Sequence, residues 1–293
     1  MILILGSNGL LGSEFLKFYQ NNPSFVFWSR SDFNFLQKNL LLNKIKKLNP
    51  HVIINCCAYT NVDASESNKK LCYDTNTELP IYLSKICARY NIFLIHFSSD
   101  YIFNGRYKNS YKENHFPDPI NYYGKCKLMA EEGIKLSSSN YCIFRTSWLF
   151  SLNNPNNFVV KIIRQLNLKD EISVVCDQFG SPTSTDFLIC VVDKSLKNLN
   201  LINKKTINVS LKGKTSWYLF SKEILSIFNQ IDKSYLNKKI IPIKSYKLKN
   251  IAKRPKNSYL NCDLLKKILQ SINRISWKIE LARLILKSNY AKN

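Results

Sequence analysis

The first twenty residues, MILILGSNGLLGSEFLKFYQ, constrain the fold of this chain more than any other stretch. Residues 1–5 form an unbroken apolar run, the pattern of a strand buried on both faces of a parallel sheet. Gly6-Ser7-Asn8-Gly9-Leu10-Leu11-Gly12 follows at once, and 14–19 continues with helical alternation of apolar and polar residues. Glycines at this spacing let the turn close tightly, let a pyrophosphate approach bare backbone and let the helix pack on the strand. The free N–H groups of the helix then hold the anion. The stretch predicts a dinucleotide site on Gly6, Gly9 and Gly12, with Asn8, Leu10 and Leu11 in the same loop. A mononucleotide P-loop needs a Gly-Lys-Ser/Thr ending, and this loop ends Gly12-Ser13-Glu14.

The 293 residues, 45% of them apolar, suffice for one large or two modest domains. No apolar run approaches the roughly eighteen residues of a membrane span, and no basic leader precedes the first strand. We therefore expect a cytoplasmic chain with no membrane span. The nine cysteines are odd in number, fall mostly within apolar patterns and include no C-x-x-C pair, which suits free thiols in a reducing compartment. His51, His96 and His115 form no ligand-like pair, so no metal is expected. The formal charge of +23 comes from lysines scattered along the whole chain rather than from a basic block. It reads as compositional bias with attraction for small anionic substrates, not as nucleic-acid binding.

Beyond the first helix the sequence alternates. Phe25-Val26-Phe27-Trp28 is a strand, 40–48 a helix, 52–58 a strand running into small residues, 67–90 a helix with an irregularity near Pro80, and 92–99 another strand. This rhythm predicts an α/β fold, a Rossmann-type doubly wound parallel sheet. Small residues where 52–58 ends, Cys57 and Ala58 followed by Tyr59, leave room for a cofactor at the carboxyl edge. After Trp28, the place where an acidic residue would bind an adenosine ribose is taken by Ser29 and Arg30, with Asp32 beyond. Arg30 can hold a 2′-phosphate, so NADPH is favoured and NADH stays open. From about 152 the rhythm loosens: helices over 158–166, 186–194, 217–228 and 277–286 mix with strands over 171–176, 206–209 and 240–243. We expect a Rossmann domain over 1–152 and 172–208, and a smaller α/β substrate-binding domain over 153–171 and 209–293.

The strongest chemical signal lies between 95 and 127. A tyrosine and a lysine four residues on share one helix face, and the ammonium favours the phenolate when the phenol gives up its proton. Three pairs match: Tyr123 with Lys127, Tyr218 with Lys222 and Tyr235 with Lys239. Only Tyr123 follows an apolar strand that ends in paired serines and itself opens an amphipathic segment. The other two read as solvated lysines beside packed tyrosines.

The glycine spacing resembles the extended short-chain dehydrogenase/reductases, and a set of ordered blocks makes the resemblance specific. Asn55-Cys56-Cys57-Ala58-Tyr59-Thr60-Asn61-Val62-Asp63, Ser98-Ser99-Asp100-Tyr101-Ile102-Phe103-Asn104-Gly105, Asn121-Tyr122-Tyr123-Gly124-Lys125-Cys126-Lys127, Arg145-Thr146-Ser147-Trp148-Leu149-Phe150, Asp177-Gln178-Phe179-Gly180-Ser181-Pro182-Thr183 and Arg254-Pro255-Lys256-Asn257-Ser258-Tyr259-Leu260 are similar to motifs of the dTDP-4-dehydrorhamnose reductase family. The resemblance implies hydride transfer from NAD(P)H to the C4 ketone of a nucleotide-activated 4-keto-6-deoxy sugar, giving a product such as dTDP-L-rhamnose for a cell-surface polysaccharide. It makes Tyr123 the proton donor, Lys127 its electrostatic support and a ligand of the nicotinamide ribose, and Ser99 the group that polarises the carbonyl. Asp100, Tyr101 and Trp148 would line the sugar pocket. Ser99 stands where the family usually has threonine, Asn104 where aspartate is common, and Cys56 and Cys57 where alanines are common. Expected partners are a sugar nucleotide and, in one arrangement, a second copy as a homodimer. Reduction of another sugar nucleotide, or a non-catalytic regulatory role for the same fold, are the competing readings.

Overall fold

The computed structural model describes residues 1–34, 37–137, 140–248, 251–288 and 290. Strand β1 (Ile2–Leu5) leads through the glycine loop into helix α1 (Leu10–Tyr19), followed by β2 (Phe25–Trp28), α2 (Lys38–Leu48) and β3 (Val52–Asn55). Asn49 ends α2 in the left-handed conformation, φ 49°, its N–H returning to the Ile45 carbonyl. Pro50 cannot continue the helix. Two short helices follow, α3 (Ala64–Ser67) and α4 (Lys69–Tyr73), then a π-helical turn over Asp74–Glu78 and helix α5 (Leu79–Arg89). The irregularity expected near Pro80 is that π turn. Pro80 has no N–H to return to residue 76, and the ladder widens just ahead of it. Strand β4 (Phe93–Ser99), helix α6 (Tyr122–Ser137) and strand β5 (Tyr141–Thr146) complete the run.

Six strands form one sheet in the order Lys205–Val209, β5, β4, β3, β1, β2, and every neighbouring pair is parallel. Strand residues alternate between two cores because the side-chain period is two. Ile2 and Ile4 face one cluster with Phe15, Ile95 and Phe97, while Leu3 and Leu5 face another with Ile45, Ile53, Leu83 and Leu94. Both faces are covered, as all-parallel sheets require.

Among the described residues, two-stranded pairings outside this sheet join Leu149–Phe150 with Thr183–Ser184, Phe179–Gly180 with Thr215–Ser216, and Glu171–Val175 with Lys239–Ile243. The last pairing joins 172–175, grouped from sequence with the Rossmann segment, to a strand of the C-terminal section. Helix Phe158–Leu168 packs on helix Trp217–Ile231, whereas Thr185–Leu196 packs on α1. Among the described residues no disulfide forms, and no helix is long and apolar enough to cross a membrane.

The glycine loop is tight enough to specify its residues. Gly6 holds φ 85°, a region that favours glycine. A Cβ on Gly12 would lie 2.1 Å from the Gly6 carbonyl oxygen and 2.9 Å from Ser7 Cα, all backbone with no freedom to step aside. Gly12→Ala should therefore cost about 1–3 kcal/mol of stability through overpacking and weaken binding of the dinucleotide expected on this loop by pushing α1 off it. Thermal denaturation and a fluorescence titration check this, and wild-type values in both would contradict the close-packed loop.

Candidate active site

Hydrogen-bond register sets the site. Leu5, Asn55, His96 and Ile143 lie side by side across β1, β3, β4 and β5. The chain beyond that row is therefore the glycine loop, Cys56 and Cys57, Ser98 and Ser99, and Thr146 to Trp148. These segments enclose a cleft of about 320 Å³ that also takes in Tyr123 and Lys127 of α6. Open parallel sheets bind ligands at this carboxyl edge.

Helix α6 begins at Tyr122, one residue ahead of the Tyr123 start expected from sequence, because Asn121 caps it: its Oδ1 accepts the Gly124 N–H at 2.8 Å. Tyr123 consequently sits in the first turn, with Lys127 one turn on. Lys127 is 3% exposed and its Nζ donates to the Phe97 carbonyl at 2.8 Å. Burial lowers its ammonium to about 8. Burial likewise pushes the Tyr123 phenol well above the ordinary tyrosine range, opposed by a hydrogen bond with the Ser99 hydroxyl. Ser99 Oγ donates to Asp100 Oδ1 at 3.0 Å and accepts the Tyr101 N–H at 3.2 Å. The Asp100 carboxyl is raised to about 7 by burial, opposed by the Ser258 and Ser99 hydroxyls; among the described residues its Oδ2 and Thr146 Oγ1 are buried with no partner at hydrogen-bond geometry. Buried polar atoms left open on a cleft wall suit a hydroxylated ligand.

The loop side of the cleft fits a dinucleotide. Gly9 is the N-cap of α1 and supplies no capping side chain, so the first amides of the helix are free for a pyrophosphate. Asn55 Oδ1 takes the Cys57 N–H at 3.1 Å and shapes the bend after β3. The Cys57 thiol, pushed up to about 12 by burial, stays neutral. After β2, Ser29 donates its N–H and hydroxyl to Asp32 Oδ2 at 2.7 and 2.8 Å, bonds that lower the Asp32 carboxyl. The carboxylate nearest the expected ribose position is thus occupied, and Arg30 is left exposed beside it.

Trp148 has φ 48°, a left-handed conformation that a bulky residue rarely holds. Its ring stacks on Trp217 at 3.6 Å and 5°. It also lies so close to Gly180 that a Cβ there would come within 2.6 Å of the indole. Elements of the C-terminal section therefore fix its angle over the cleft.

A family model for the RmlD substrate binding domain matches residues 1–289. The chain belongs to the RmlD substrate binding domain family. A dTDP-4-dehydrorhamnose reductase from Aggregatibacter actinomycetemcomitans is 31% identical over 89% of this chain and 90% of that relative. One from Sinorhizobium fredii is 28% identical over 97% and 96%. Among solved structures, the dTDP-4-dehydrorhamnose reductase of Bacillus anthracis in complex with NADP superposes with a TM-score of 0.90 at 30% identity, covering 98% of this chain and 99% of that one.

In this RmlD-family chain Ser99, Tyr123 and Lys127 converge on one cleft with Gly9, Leu10, Leu11, Cys57, Ala58, Asp100 and Trp148. Gly6 and Gly12 support the loop from behind, whereas Asn8 and Arg30 are exposed and Tyr59 is half-buried, its N–H held by Asn76. Tyr101 stands behind the cleft, its ring edge-on to Tyr123 at 6.0 Å. Sequence reasoning did not single out Asn55, Trp217 or the capping role of Asn121. Asn121 carried a signal, an Asn immediately before an amphipathic run; Trp217 carried none, since its role exists only in the stack with Trp148.

The position of Lys127 sets a pH dependence. Below about 8 its amine is a cation able to stabilise a phenolate; above that it is neutral, while Tyr123, shifted upward, still holds its proton. kcat/KM, which reports the free enzyme, should therefore fall as pH rises through about 8. A profile flat to pH ~10, the range of an unperturbed lysine, would show that Lys127 is not electrostatically engaged.

Proposed function

We propose that this chain reduces the C4 ketone of a nucleotide-activated 4-keto-6-deoxy sugar, converting dTDP-4-dehydro-L-rhamnose to dTDP-L-rhamnose with NADPH. The observation that carries the reading is the buried Lys127 ammonium one helical turn from a half-buried Tyr123, whose phenol meets the Ser99 hydroxyl in the cleft. Bound along the glycine loop, with Arg30 favouring the phosphorylated cofactor over NADH, the nicotinamide supplies the hydride for the ketone carbon. The chain's own residues handle charge and protons. Ser99 hydrogen-bonds the ketone oxygen and keeps it near the Tyr123 hydroxyl. Tyr123 gives its proton to that oxygen as it becomes an alkoxide. Lys127 supports the phenolate left behind, an effect enlarged by the low dielectric around it. The Asp100 carboxyl, on the cleft wall, is suited to accept a sugar hydroxyl, and the rigid Trp148 indole to pack against the ring. The names of the relatives and the NADP complex of the Bacillus anthracis protein support this substrate and cofactor. The same reading has the reaction in the cytoplasm, on a small soluble substrate.

Removing the transferable proton while keeping the ring tests the assignment. Tyr123→Phe should fold, bind NADPH and lose on the order of 10²-fold or more in kcat, with Tyr218→Phe and Tyr235→Phe unaffected. Near-normal turnover by Tyr123→Phe would contradict Tyr123 as the acid.

A further inference from the structure

Asp63 and Arg254 stand 191 residues apart in sequence and take no part in the steps above, yet they meet beside the site. Asp63 precedes helix α3, but its side chain does not cap it. The carboxylate turns instead to the segment 251–254. Its Oδ1 accepts the N–H groups of Ile251 and Ala252 at 3.1 and 2.9 Å, and the Arg254 guanidinium grips both oxygens at 3.0 and 2.6 Å. Charge-assisted bidentate pairs of this kind fix geometry as well as add energy. The Arg254 side chain is 18% exposed, so solvent screens the pair only in part.

Between these residues, the Lys253 carbonyl accepts Asn121 Nδ2 at 2.8 Å. Asn121 is the residue whose Oδ1 caps α6 through the Gly124 N–H. The segment therefore spans from the loop after β3 to the N-cap of the helix that carries Tyr123 and Lys127. That first turn has no slack: a Cβ on Gly124 would lie 2.2 Å from the Tyr101 carbonyl oxygen. The Tyr101 ring meets Tyr123 edge-on at 85°, and the Arg254 guanidinium also bears on the Tyr101 phenol.

We propose that Asp63 and Arg254 are positioning residues: their ion pair latches 251–254 onto the cap of α6, holding Tyr101 against Tyr123 and Tyr123 in line with the ketone oxygen. The kinetic consequence rests on the reductase reading above; the structural consequence does not.

The test uses the full chain with Asp63→Asn, Arg254→Ala, the milder Arg254→Lys, and the Asp63→Asn/Arg254→Ala double variant. Turnover of a nucleotide 4-keto-6-deoxy sugar, NADPH affinity and amide hydrogen exchange over 123–127 are measured for each. Misplacing a proton donor from a distance should cost on the order of 10- to 100-fold in kcat, with NADPH affinity unchanged and amide exchange over 123–127 faster than in the unaltered chain. The double variant should be no slower than the worse single one, since both break one contact. Losses that multiply in the double variant, a rise in KM with kcat intact, or unchanged exchange over 123–127 would each overturn the latch. Failure of the unaltered chain to reduce the nucleotide 4-keto-6-deoxy sugar would instead count against the reductase reading, and the exchange measurement alone would then decide the latch.

Discussion

The site depends on parallel strands that run in register to a common edge. Because Leu5, Asn55, His96 and Ile143 share one row of the sheet, the chain leaves the sheet at that row after β1 and β3, while β4 and β5 stay paired three residues further, to Ser99 and Thr146. The crevice is the space those departing segments leave. Its chemistry then follows from what each segment carries: bare amides after β1, small residues after β3, hydroxyls at the end of β4 and an indole after β5. A slip of one residue in any pairing would turn these side chains to the opposite face of the sheet.

Within that frame the energetic tension is electrostatic. Burying an ammonium disfavours its charge, and Lys127 shows it, brought down to about 8. The Phe97 carbonyl gives it one fixed partner, while negative charge arising on Tyr123 would give it a second. A helix positions the two groups rigidly, and the Asn121 cap anchors the end of the helix where Tyr123 lies. Another buried charge is satisfied outright: Arg145 donates to both oxygens of Glu131 at 2.9 and 2.7 Å, which suits a structural pair. Lys127 and Asp100 are left with unusual titration instead, and such groups gather where chemistry occurs.

Most of the sheet was legible because its strands are short, apolar and bounded by glycine, proline or polar turns. Phe25–Trp28 coincides with the strand expected over those residues, and β4 differs by one residue at its start. Context alone set the Tyr123 and Lys127 pair apart from the two other matches, and that pair lines the cleft. What the sequence withheld depends on long-range contacts. The partner of Glu171–Val175 is Lys239–Ile243, far along the chain, and local periodicity cannot name a partner. Trp217 beneath Trp148 and Asp63 against Arg254 are likewise tertiary facts between residues that read locally as surface or core. The π turn was visible only as a disturbance near Pro80, because a widened turn leaves the apolar pattern nearly intact.

Isotope transfer shows whether this cleft carries a hydride from a nicotinamide to a sugar ketone. The chain is incubated with dTDP-4-dehydro-L-rhamnose and NADPH carrying deuterium at the transferable C4 position, and the product sugar is analysed by mass spectrometry and NMR. Deuterium is expected at C4 of the 6-deoxy sugar, with none from labelled solvent at that carbon. Product without that label, or with label taken from solvent, would contradict that transfer.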